Sequence, residues 1–125
     1  MTMPHERMRS LRWGWDVLRA LEADLTQERM WVERARKVLL TYLAPDDLER
    51  LVETPGAQMP ATFAAAINDV RELFEVVRLC TSSAALRRDL QYTLRHFPSA
   101  GVARVLVNAA TLGDLDSWLA VECDD

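Results

Sequence analysis

Apolar residues recur at steps of three and four through almost the whole chain, the spacing of helices that bury one stripe. Met8, Leu11, Trp15 and Leu18 make one such stripe, widened by Trp13, Val17 and Leu21. Phe63, Ile67, Val70, Phe74 and Val77, continued by Leu79 or Cys80, make the most regular one. Strands need period-two alternation, and the β-branched residues here never supply it. The spacing therefore predicts an all-α fold, a compact bundle of about six helices. A length of 125 residues suits a single domain that buries a core without metals or disulfides.

Prolines and glycines mark the divisions. Pro4 suits the first position of helix one, and Thr26 is placed to cap a second helix running through Val32, Ala35, Val38, Leu39, Tyr42 and Leu43 until Pro45 stops it. A short helix restarts there, with Asp46 and Asp47 in the first turn, where acids suit the positive end. Residues 54–60, Thr-Pro-Gly-Ala-Gln-Met-Pro, read as a linker. Beyond it come the helix with the Phe63 stripe and, after Thr81-Ser82-Ser83, a helix with Leu86, Leu90, Thr93, Leu94 and Phe97 that Pro98 ends. An apolar helix capped by Ser99 follows, with Val102, Val105, Leu106 and Ala109. Gly113-Asp114 opens a last short acidic helix and tail over 113–125, with Leu115, Trp118 and Leu119. Gly14 interrupts the first stripe, which implies that another helix crosses closely there.

The halves over 4–53 and 61–110 resemble each other. Trp15-Asp16-Val17-Leu18-Arg19 reads against Phe74-Glu75-Val76-Val77-Arg78, an offset of 59 residues, and Arg34–Pro45 against Arg87–Pro98, an offset of 53. Two related helix pairs about a pseudo-twofold axis would bury both apolar faces.

The chemistry-bearing residues are sparse. His5 and His96 have no metal ligand at helical spacing, and neither Cys-x-x-Cys nor His-Glu-x-x-His occurs, so the sequence predicts no metal, no cofactor and no enzyme. His96 reads as a cap on a helix C-terminus. Cys80, on the stripe, reads as a small buried hydrophobe, and Cys123 lies among Glu122, Asp124 and Asp125, which disfavour a thiolate. Unpaired cysteines without a leader segment imply a cytoplasmic protein, and no apolar run reaches the ~20 residues a membrane span needs.

The net charge is −4, but Asp114, Asp116, Glu122, Asp124 and Asp125 carry that acidity at the end and leave the rest near neutral. Trp13 and Trp15 stand two apart on one helix and point in different directions. With Trp15 in the stripe, Trp13, beside Arg9 and Arg12, faces a partner; Trp31 is a further anchor candidate. Tryptophan and arginine are enriched at interface hot spots. Arg34, Arg36 and Lys37 on one helix and Arg87, Arg88 and Arg95 on another form a second candidate surface, for DNA or an acidic partner.

The opening Met-Thr-Met-Pro-His-Glu-Arg-Met-Arg and the later Leu94-Arg95-His96-Phe97-Pro98 resemble a family of small proteobacterial proteins with a domain of unknown function. These begin Met-Thr-Met-Pro-x-Glu-Arg-x-Arg and carry a Leu-Arg-His-(Tyr/Phe)-Pro segment. The resemblance covers about a fifth of the chain. It implies a helical fold in a bacterial, often mobile-element setting, and assigns no activity. The expectation is a non-catalytic protein-interaction module, such as an adaptor, an inhibitor or an immunity-type protein of a mobile element or phage. Its partner is another protein or a second copy of the chain, with a small DNA-binding transcriptional regulator as the alternative.

Overall fold

A computed structural model describes residues 2–109 and Leu119. Among the described residues six helices follow in order: α1 (Pro4–Ala23), α2 (Arg29–Val38), α3 (Pro45–Glu53), α4 (Ala61–Cys80), α5 (Ala84–Leu94) and α6 (Ala100–Ala109). The all-α bundle read from the spacing is the fold observed. No described helix is long and apolar enough to cross a membrane.

Helix ends follow local chemistry, with two departures from expectation. Pro4 opens α1, and Glu6 accepts a hydrogen bond from the Met3 amide at 3.0 Å, half of a reciprocal cap. Thr26 does not cap α2. Its amide instead donates to the Asp24 carboxylate at 3.0 Å, a turn that Asp forms readily, and the helix begins only at Arg29. Helix α2 also stops at Val38 rather than Leu43, well ahead of Ala44, which Pro45 holds in extended geometry. Tight turns, with Leu40 donating to the Lys37 carbonyl at 3.2 Å and Tyr42 to that of Val38 at 2.9 Å, still deliver Tyr42 to the core. Ser83 caps α5, accepting from Leu86 at 3.1 Å, and Ser99 caps α6, accepting from Val102 at 3.3 Å. Between α3 and α4 the chain turns at Gly56, whose φ of 72° favours glycine.

The long helices supply the core. α4 buries Phe63, Ile67, Val70, Phe74 and Val77, each worth about 1.5–3 kcal/mol relative to an exposed side chain. The stripe continues into Thr81, 2% exposed, while Leu79 and Cys80 fall outside it. Cys80 is therefore exposed, contrary to the buried position expected from the sequence. α1 buries Arg7, Ser10, Leu11, Gly14, Val17, Leu18 and Leu21, so its stripe is centred one position away from Met8 and Trp15, which are half-buried.

α1 packs on α2 and α5, and α4 packs on α5 and α2, closing a ring of four helices, with α6 also against α4. Each half thus lays its second helix on the long helix of the other. Several buried positions recur between the halves, though not at the offsets read from the letters, and others do not: at an offset of 55 buried Val32 falls on exposed Arg87. An offset of 56 sets Arg7 on Phe63, Ser10 on Ala66, Leu11 on Ile67, Gly14 on Val70, Val17 on Leu73, Leu18 on Phe74 and Leu21 on Val77, all buried. An offset of 55 sets Ala35 on Leu90, Val38 on Thr93 and Tyr42 on Phe97, again all buried. At 59 and 53, buried positions such as Val17 and Val38 fall on exposed Val76 and Gln91. The third helices differ in role: α6 packs on α4, whereas α3 makes no comparable contact with α1.

The acidic segment 113–125, with Trp118 and Cys123, lies outside the described residues except for Leu119. Leu119 is helical and 4% exposed, and its carbonyl accepts from the buried Arg7 Nη1 at 2.9 Å.

Candidate functional site: two equivalent grooves

Among the described residues no three His, Cys, Asp or Glu side chains come together to hold a metal ion. His96 does not cap its own helix. Its Nε2 lies 2.9 Å from Glu6 Oε2 and its Nδ1 3.4 Å from Thr2 Oγ1, so it pins the start of α1 to the end of α5. The Met3 amide, and then the charge of His96, hold the Glu6 carboxyl below its ordinary value. Tyr42 is buried, and its hydroxyl donates to the Leu11 carbonyl; burial pushes its pKa well up, with Asp16 adding to the effect.

The surface features are more informative. Trp13 is 40% exposed on α1, and the Arg9 guanidinium sits 5.4 Å from its ring centre, within cation–π range. Arg12 turns away to Glu49 of α3, at 3.7 Å. Trp31 is 5% exposed and belongs to the core, so it is no docking anchor: in α2's first turn it lies in line with Ala35 and Val38, the helix's inner stripe. Trp15, stacked on Tyr42 with centroids 6.5 Å apart, also faces inward.

Trp13 forms one lip of a groove of about 470 Å³ between α1 and α5. Val17, Ala20 and Leu86 give it an apolar lining, Tyr92 and Thr93 line it from α5, and Asp16 and Asp89 supply its charges. Tyr92 is 58% exposed. Sequence reading missed it because it sits off the buried stripe of α5, and its one available signal was the three-residue step from Leu86 through Asp89.

Between α2 and α4 lies a second groove of about 430 Å³, lined by Arg34, Lys37, Val38, Leu40, Thr41, Asp69 and Leu73. The two grooves are built from equivalent positions. The offsets that align burial set Trp13 on Asp69, Val17 on Leu73, Arg34 on Asp89, Lys37 on Tyr92 and Val38 on Thr93. What differs is the chemistry: two rings and two acids in one groove, two cations and the single acid Asp69 in the other.

The basic residues singled out from the sequence do not form one paired surface. Arg34 and Lys37 share the α2/α4 groove. Arg36 faces Glu22 at 3.8 Å, Arg87 donates to the Thr81 carbonyl, and Arg88 and Arg95 are exposed on and just beyond α5. The letters aligned Arg34 with Arg87, but the fold aligns it with Asp89.

Compared with family models, curated proteins and solved structures, the chain matches none.

Proposed function

We propose that this protein is a non-catalytic protein-interaction module of the adaptor, inhibitor or immunity type, and that it binds its partner through the α1/α5 groove. The observation that carries this reading is the pair of exposed rings, Trp13 and Tyr92, that α1 and α5 contribute to a groove with an apolar lining. Large aromatic side chains left in water beside an apolar trough are the arrangement from which binding hot spots are made. Arg9, stacked on Trp13, holds that ring in place and extends the contact surface. The bacterial, mobile-element setting implied by the two sequence blocks fits a small module of this kind.

Capture from the native cell tests the reading. The wild-type chain should retain a partner protein that the Trp13→Ala/Tyr92→Ala variant does not, while the two melt at similar temperatures. Retention by the variant would overturn it. Salt-dependent retention of duplex DNA by the wild-type chain would move the function to Arg34, Lys37 and the basic side of α5 instead.

A further inference from the structure

The two grooves have complementary chemistry as well as equivalent construction. Asp16 and Asp89 line the aromatic groove, and Arg34 and Lys37 line the other. Among the described residues none of these four has an ion-pair partner. Arg34, Lys37 and Leu40 follow at three-residue steps, so they make one ridge along α2 and the turn after it. Leu40, at 84% exposed, is a large apolar side chain standing in water at the end of that ridge, and Met30, 62% exposed, begins it. An apolar knob beside two cations is the shape and charge that a trough with an apolar lining, two rings and two carboxylates would receive.

We propose that the α2 ridge of one molecule docks into the α1/α5 groove of a second copy. Leu40 enters between Trp13 and Tyr92, while Arg34 and Lys37 face Asp89 and Asp16. This rests on the reading of the α1/α5 groove as an interaction surface and names its occupant. The ridge and the groove occupy non-adjacent sides of the four-helix ring, so the contact is head-to-tail and leaves a free ridge and a free groove on every pair. Such contacts extend into chains or rings rather than stopping at a dimer. One ridge in one groove is a small interface, so the association is weak and concentration-dependent.

Sedimentation of the purified chain between about 10 μM and about 1 mM tests this, a range suited to small interfaces. The average mass should rise with concentration past that of a dimer, and less steeply at high salt. Asp16→Lys/Asp89→Lys removes the acidic groove, and Arg34→Glu/Lys37→Glu removes the basic ridge. Each variant alone should associate about a hundredfold more weakly than the wild type. Mixed in equal amounts they regain complementary charge at both contacts, the native pairing and its sign-swapped counterpart, and should co-assemble into alternating chains where neither assembles alone. Leu40→Asp, which leaves all four charges in place, should also abolish growth; unchanged helical circular dichroism in all variants excludes unfolding. A wild-type chain that stays monomeric throughout overturns the proposal, as do variants that assemble like the wild type or a mixture that stays monomeric. A monomer that still loses its cellular partner on Trp13→Ala/Tyr92→Ala substitution would refute self-docking alone and leave the interaction surface standing.

Discussion

The hydroxyl of Tyr42 occupies the space that a β-carbon on Gly14 would need: the two would lie 2.6 Å apart. Phe97, the residue equivalent to Tyr42 in the second half, approaches the same point to 3.0 Å. The ends of the α2 and α5 segments thus meet over one missing side chain.

Gly14→Ala therefore sets two effects against each other. Helix propensity favours alanine by about 1 kcal/mol, while forcing a methyl group into a packed core costs about 1–3 kcal/mol, and burial at this point favours the second. The variant should lower the denaturation midpoint. Tyr42→Phe alone should cost about 1 kcal/mol for the lost bond to Leu11. The double variant should be more stable than the two single losses add up to, with incomplete recovery because Phe97 remains close; strict additivity in a double-mutant cycle would count against the geometry.

Arg7 is 3% exposed and stands where the second half has Phe63. Its guanidinium donates to the Leu119 carbonyl, and bonds from charged donors contribute about 1.5–3 kcal/mol. Arg7→Ala should lower stability by about that amount, read by chemical denaturation. It should also speed hydrogen exchange in the α1 amides.

Cys80 lies exposed at the end of α4. A disulfide reagent added to the native protein should label it without denaturant, and mass spectrometry of the peptides should place the adduct there. Protection until the chain unfolds would contradict the position assigned to α4's last turn.

Glu6 supplies an acid-side dependence. Its folded pKa is lowered by the Met3 amide and then by His96, so its contribution is fully present above the unfolded carboxylate value of 4.5 and is lost as the pH falls through the folded value. Glu6→Gln should flatten the stability profile below about pH 4.5. Equal slopes for variant and wild type in acid would be the contrary result.

Much of the fold was legible because periodicity and punctuation agree. Pro4, Pro45, Ser83 and Ser99 each sit at a helix start, and the apolar spacing places the α4 core to within a residue. The duplication read from the letters does not follow the burial pattern. Matching Val-Leu-Arg letters chose an offset three residues from the one that aligns burial, nearly a full turn away, so the faces stay close enough for the match to look sound. The candidate grooves were half visible. Trp13 is forced outward by Trp15 turning in, but Tyr92 and the pairing of α1 with α5 depend on which helices become neighbours, and α5's partner lies some 75 residues upstream. Trp31 misled because a tryptophan at the start of a helix with charged neighbours looks the same from sequence whether it faces in or out.

The bond from Arg7 to Leu119 spans 112 residues. While the protein is being made, that bond cannot form until Leu119 has left the ribosome. The first helix to be synthesised is therefore among the last to complete its packing. A contact between such distant parts of the chain carries a loop-closure cost that slows the final step of folding.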